Sequence, residues 1–247
     1  MLSETQIERY SRQIILPQVG GRGQEKLLAA GVAVVADGAA SSTSGAYLAA
    51  AGVGRLAMVD QTAPATVGHT FTPPELETLN PDCAVRQLRP PQTSDETFAL
   101  ASQYDVVIVC EARSPLSAAA TESTALLNAA CLDLRKPLLW ARVDGVAGCL
   151  TQVAGEQASA PCYQCLLPQL PHLDADTAPA PWAAALTAGV VGSVQATEAL
   201  KIVLGIDETL AGRLVTWNGL GATMQERRVV RDARCTTCSA TLAGGTA

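Results

Sequence analysis

The stretch from Val32 to Asp60 constrains the fold more than any other part of the chain. It opens with the apolar run VAVVA (32–36), turns through ADGAAS (36–41), continues in small helix-prone residues to 51, and closes after Gly52-Val53-Gly54 with RLAMVD (55–60). A short unbroken apolar run bounded by turn formers predicts a strand buried on both faces, and such a strand needs helices above and below it. A strand, a helix and a second strand in this short span close as a right-handed crossover between parallel neighbours.

The alternation continues. Residues 3–13 read as a short helix capped by Ser3 with Gln6 at the capping-box position, and 23–31 as a second helix ended by Gly31. The Pro-, Gly- and Thr-rich segment 61–75 reads as loop, 83–90 as a strand, 95–103 as a helix, 104–110 as a buried strand and 114–134 as helical. Further on, 137–154 reads as two strands around a turn at Asp144-Gly145, 179–205 as a long helix and 212–231 as a strand hairpin. The fold class that follows is α/β: a Rossmann-like, doubly wound, mostly parallel sheet with an antiparallel C-terminal extension. With 48% hydrophobic and 16% charged residues, the chain can build a sizeable core. We expect one domain over 1–239, made of an N-terminal helical arm (3–31), a nucleotide-binding-like half (32–135) and a second half (136–239), followed by a flexible tail (240–247).

A net charge of −6 with no Lys/Arg run argues against nucleic acid as a partner. The polar start MLSETQIERYSRQ is not a signal peptide, and no apolar run reaches the roughly 18–20 residues of a membrane span, so we expect a cytoplasmic protein with no membrane contact. Eight cysteines then need a use, because disulfides are rare in that compartment. Four of them form two pairs, Cys162-Tyr-Gln-Cys165 and Cys235-Thr-Thr-Cys238, with 69 residues (166–234) between. Each CxxC turn places two thiolates on one edge of a tetrahedron, so the two turns together predict a closed, structural zinc knuckle with Cys162, Cys165, Cys235 and Cys238 as ligands. A redox CxxC normally opens a helix and comes singly. The other four, Cys83, Cys110, Cys131 and Cys149, lie in apolar surroundings and read as small core residues. Only two histidines, His69 and His172, are present, so nothing points to an open catalytic metal site.

Several motifs occur in one order: ERYSRQIILPQVGGRGQEKL, YLAAAGVG with MVD, LNPD, YDVVIVC, LLNAACLDLRKPLL, PCYQCL, VVGSVQATEALK and RCTTC. Together they resemble the ThiF/MoeB/HesA family, the bacterial relatives of ubiquitin-activating enzymes, over roughly 7 to 239. The resemblance implies a dimer, a structural zinc, and an ATP site that adenylates the C-terminal glycine of a small ubiquitin-like sulfur carrier.

Carried over residue by residue, that ATP site is depleted. The family's GxGGLG loop falls on Ala36, Asp37, Gly38, Ala39, Ala40 and Ser41, so Gly38 alone keeps its glycine. A carboxylate at Asp37 about 4–5 Å from a phosphate would cost roughly 3–4 kcal/mol at an effective dielectric near 20. Asp60 matches the acid that holds the ribose, while Thr62 replaces the acid two residues on. The family's phosphate-contacting Arg becomes Phe71, and its phosphate-binding Lys falls in a stretch that this chain lacks. The Asp-Cys-x-Asp-Asn motif reads Val109-Cys110-Glu111-Ala112-Arg113, which puts Ala112 where the metal-positioning Asp belongs. Glu111 is adjacent, but neighbours on an extended segment point opposite ways. The reactive cysteine of some members falls near Ala178.

Arg9, Arg12 and Gln13 are kept. By resemblance, Arg12 sits on an arm that reaches a partner's ATP, so it is a candidate to act in trans; the plain alternative is a helix cap or a surface ion pair. The reading with most support is a catalytically degenerate member, acting as a binding or regulatory subunit that dimerises with itself or with an active paralogue and docks a ubiquitin-like sulfur carrier. Two alternatives stand beside it: an active ATP- and magnesium-dependent adenylyltransferase, and a binder of a non-triphosphate ligand held through Gly38 and Asp60. Trp140, Trp182 and Trp217 read as core or interface anchors, and the terminal LAGGTA as a loose tail.

Overall fold

The computed structural model describes residues 1–36, 38–59, 71–112, 118–155, 160–171 and 181–239. Among these, eight strands form one sheet: β1 (Gly31–Val35), β2 (Arg55–Val59), β3 (Ala84–Leu88), β4 (Val106–Ala112), β5 (Leu138–Asp144), β6 (Ala147–Val153), β7 (Arg213–Asn218) and β8 (Thr223–Arg228). Their order is β3-β2-β1-β4-β5-β6-β7-β8. The first five pair in parallel, and β6, β7 and β8 add antiparallel. This is the mostly parallel sheet with an antiparallel C-terminal extension that the strand pattern implies.

Alternate residues of each strand feed opposite layers, as the pleat requires. Val32, Val34, Leu56, Met58, Val106, Ile108, Leu139 and Ala141 join one core. It is shared with α4 (Gly38–Ala51) and α9 (Pro181–Leu204), which pack closely on one another. Small residues allow that approach: a Cβ on Gly192 would meet the Ala40 carbonyl oxygen at 2.7 Å, and Ser44 Oγ donates to the Gly192 carbonyl at 3.1 Å. Ala33, Val35, Ala57, Val107, Val109, Leu138 and Trp140 fill the opposite layer with Leu100 and Ala101 of α6 (Ser94–Gln103), Leu127 and Cys131 of α7 (Ala118–Asp133), and Tyr163 and Leu166 of α8 (Tyr163–Leu166). Cys83, Cys110, Cys131 and Cys149 are all buried, and burial pushes the thiols of Cys83, Cys131 and Cys149 up to about 12, so they serve as core residues.

The local rules hold at most boundaries and fail at two. Ser3 and Gln6 form the expected capping box on α1 (Glu4–Arg9), and the chain steps at Tyr10 into α2 (Ser11–Ile14). However, α3 (Gly20–Ala29) ends before Gly31, which belongs to β1 and pairs with Arg55 rather than capping the helix. The expected loop 61–75 also stops short, because Pro73 begins α5 (Pro73–Leu79): two prolines at the first turn and a Thr72–Glu75 capping box start a helix there. Neither depends on hydrophobic period, which is why the segment reads as loop. The step from Gly54 to β2 admits only glycine, since a Cβ would lie 1.8 Å from the Leu28 carbonyl oxygen.

Strand order reverses between β1 and β4. In open α/β sheets the crevice outside the carboxyl ends of the strands at such a switch point is where ligands bind. The Asp144-Gly145 turn joins β5 to β6 as expected.

Candidate functional site

The four paired cysteines come together. Cys162 precedes the single turn of α8 and Cys165 lies within it, while Cys235 and Cys238 sit in the tail that returns across them. Their Sγ atoms stand 3.7 Å apart for Cys162 and Cys165, 3.6 Å for Cys162 and Cys235, and 3.7 Å for Cys165 and Cys238. All four lie within 4.8 Å of one another. A Zn–S bond of about 2.3 Å sets the edge of a sulfur tetrahedron at about 3.8 Å, so this group could hold such an ion with little rearrangement. The Asp232 backbone N–H donates to Cys165 Sγ at 3.3 Å, as in a metal site's supporting shell. Burial pushes the Cys162 thiol up. At Cys235 burial acts the same way but is outweighed by the backbone N–H groups of Cys238 and Thr237 and by the neighbouring thiols, which hold it at about 7.

The switch-point crevice is built differently. β1 runs into α4 through Gly38, whose φ of +51° is the left-handed conformation that glycine alone adopts without strain; this accounts for the one loop glycine that survives. Asp37, Asp60, Thr62, Arg113 and Ala178 lie outside the described residues, as do both histidines and the LAGGTA tail. Phe71, which stands where the family pattern has Arg, packs against the α4 and α9 core, and its N–H donates to Ser42 Oγ at 3.1 Å.

Glu111, at the end of β4, faces away from the crevice. Its side chain turns into the α7 layer, where Tyr163 Oη donates to Oε1 at 2.8 Å and Arg142 Nη2 donates to Oε2 at 3.3 Å. Only 5% of the side chain is exposed. Burial, reinforced by the Glu111 carboxylate, pushes the Tyr163 hydroxyl well above its ordinary range, so it remains a donor. Arg142 lies opposite Glu111 in the β4–β5 register and stacks over the Trp140 ring, 5.4 Å from its centroid. Sequence reasoning missed Arg142 and Tyr163. The only available signal was opposite charge on two apolar strands, and it has no meaning until the register is known.

A third constellation ties down the N-terminal arm. Arg9 pairs with Asp82, Tyr10 Oη donates to Asp82 at 2.9 Å, Gln6 Nε2 donates to Asp82 at 3.3 Å, and Asn80 Nδ2 donates to Tyr10 Oη at 2.8 Å. Burial raises the Asp82 carboxyl, but the donors Tyr10, Arg9 and Gln6 outweigh it and hold it below the usual range. The RYSRQ and LNPD motifs are thus one structural unit. Arg12, in α2, is exposed and has no carboxylate partner among the described residues. Trp140 is buried and Trp182 is 63% exposed.

A doubly wound sheet with a switch-point crevice, a clamped N-terminal arm and a four-cysteine knuckle defines an α/β protein of the Rossmann-like class. The chain belongs to the ThiF family, whose profile matches residues 74–240. It is 32% identical to the vegetative HesA protein of Trichormus variabilis, over 96% of this chain and 91% of that one. It is 33% identical to a sulfur carrier protein adenylyltransferase of Thermus thermophilus, over 96% and 92%. Against "Adenylyltransferase and sulfurtransferase MOCS3" of Culex quinquefasciatus it is 34% identical and spans 96% of this chain but only 56% of that longer protein. Among solved structures, Escherichia coli MccB with ATP superposes with a TM-score of 0.72 over 96% of this chain and 75% of that one at 17% identity, which speaks to the fold alone. Among the described residues no helix is long and apolar enough to cross a membrane.

Proposed function

We propose that this chain is a non-catalytic member of the ThiF family, working as a binding or regulatory subunit that pairs with itself or with an active paralogue. The observation that carries the reading is at the end of β4. Position 112 is alanine, and the neighbouring carboxylate of Glu111 is engaged by Tyr163 and Arg142 in the α7 layer. Phosphoryl chemistry rests on positioning and charge neutralisation, and a crevice lacking its metal-positioning acid, its Arg and its Lys has little with which to supply either.

On this reading the four-cysteine knuckle holds one structural zinc, which fastens the C-terminal tail to α8. The clamped arm supports the pairing role: Asp82 holds α1 and Tyr10 to the body, and Arg12 is left exposed for a partner. A ubiquitin-like sulfur carrier is the partner class we favour, because a relative with nearly equal coverage is named a sulfur carrier protein adenylyltransferase. Calorimetry with ATP and magnesium decides the matter: we expect no binding heat and no pyrophosphate exchange with candidate carriers. Micromolar ATP binding with exchange would sink the proposal and leave an active adenylyltransferase. If the chain instead raises the rate of an active relative, Arg12→Ala should abolish the gain.

A further inference from the structure

We propose that a cleft at the amino ends of β4 and β5 binds a small zwitterion, an α-amino acid with an aliphatic side chain. This is the pole of the sheet opposite the switch-point crevice, and it shares no residue with the crevice or with the ligands of the knuckle. Asp105 and Pro137, which immediately precede β4 and β5, line it together with Gln152 of β6, which pairs with Leu139 near the start of β5. The rest of the lining comes from the segments where α7 and α9 end. The cleft has a volume of about 450 Å³. That lies within the range of small-molecule sites, roughly 300–1,000 Å³, and well above what a few waters need.

Three groups of the cleft lack partners. Gln152 is only 4% exposed, yet its Oε1 has no hydrogen-bond partner. Buried polar groups are rarely left in that condition. A side-chain amide both accepts and donates, so a ligand with an ammonium beside a carboxylate can satisfy it fully. Arg135 and Asp207 also line the cleft; both are exposed, and neither side chain has an ion-pair or hydrogen-bond partner. The other charges there are already engaged. Lys136 pairs with Asp105 at 3.8 Å, and Asp105 also pairs with Arg55 at 3.9 Å and accepts from the Gly31 N–H at 2.8 Å. One cation and one carboxylate therefore remain. That balance suits a guest carrying one charge of each sign and works against a polyanion. Leu134, Ile202 and Ile206, all half-buried, supply apolar lining against which an aliphatic side chain can leave water.

The test uses the full-length, metal-loaded chain without nucleotide. L-Leucine, 3-methylbutylamine, 4-methylpentanoate and glycine are titrated separately while the Gln152 side-chain amide resonances are followed by NMR. The amine lacks the carboxylate of leucine, the acid lacks its ammonium, and glycine lacks its side chain. We expect a saturable shift with leucine, a dissociation constant of about 1 mM or tighter, and binding at least about tenfold weaker with each of the other three. Arg135→Asn and Asp207→Asn alter exposed residues and should fold as the wild type does; asparagine tolerates the left-handed φ of +54° at position 135. Arg135→Asn should remove the preference for leucine over the amine, and Asp207→Asn the preference for leucine over the acid. No saturable shift up to about 20 mM leucine would leave a merely hydrated cleft and overturn the proposal. A fragment that binds as tightly as leucine, or a leucine affinity unchanged in either variant, also overturns it. Because no ATP is present, a failure here is separate from a failure of the binding-subunit reading, which the calorimetry above decides.

Discussion

The knuckle and the crevice make opposite use of their sequence motifs. At the knuckle, four side chains from two CxxC turns converge to Sγ separations of 3.6 to 3.7 Å. At the crevice, the positions that by the family pattern would contribute phosphate and metal contacts carry Ala39, Phe71 and Ala112, and the nearby carboxylate of Glu111 is drawn into a different layer. The difference teaches how the two kinds of site fail. A four-thiol site needs only its ligands and two tight turns, so it is kept whole or lost whole. A nucleotide site is distributed over several strand ends and can lose contacts one by one while the sheet beneath it stays intact.

The largest test of this contrast is metal removal. We expect about one zinc per chain, and chelation or Cys162→Ser should cost several kcal/mol, roughly 10 °C or more in Tm, with release of the C-terminal tail to protease. An unchanged melting curve after verified metal loss would remove the contrast. Next comes Tyr163→Phe, which takes a donor from the buried Glu111 carboxylate. We expect about 2 kcal/mol in urea unfolding; a loss under about 0.5 kcal/mol would mean that Glu111 is not held as described.

A smaller effect is expected at the arm. The Asp82 carboxyl is depressed in the folded chain, so its contribution is present above the ordinary carboxylate range and is lost as pH falls through the lower folded value. Asp82→Asn should cost about 1 kcal/mol near neutral pH, and the wild-type and variant stabilities should converge as the solution is acidified below about pH 4. A difference that persists at low pH would assign the effect to packing instead. The smallest expected effect is that of Ala112→Asp. Restoring one acid should give no ATP heat and no exchange, because the Arg and Lys of the family pattern are still missing. Recovery of exchange by this single change would show the crevice to be nearly intact.

Much of this was legible before the structure. VAVVA and YDVVIVC are read as buried strands because an unbroken apolar run has no exposed face, and RLAMVD as a strand; β1, β4 and β2 lie parallel to one another at those places. The CxxC spacing is equally local. Other features were out of reach. The helix starting at Pro73 hides under loop-forming residues. Arg9 and Tyr10 lie more than seventy residues from Asp82, and no periodicity joins them to it. Glu111 and Arg142 look like two charges on apolar strands until the register sets them side by side.

The amino-acid sequence by itself determined the strand and helix order, the paired thiols and the residue types at the family's nucleotide-loop positions, because each of these is a matter of residue type over a few neighbouring positions. Only the tertiary structure decided where the remaining charges go. The direction of a side chain at a strand end, and the partner it finds there, depend on strand pairing and on which helix covers that face. Those are long-range choices, made by burial and by the cost of leaving a charge without a partner, and no local pattern records them.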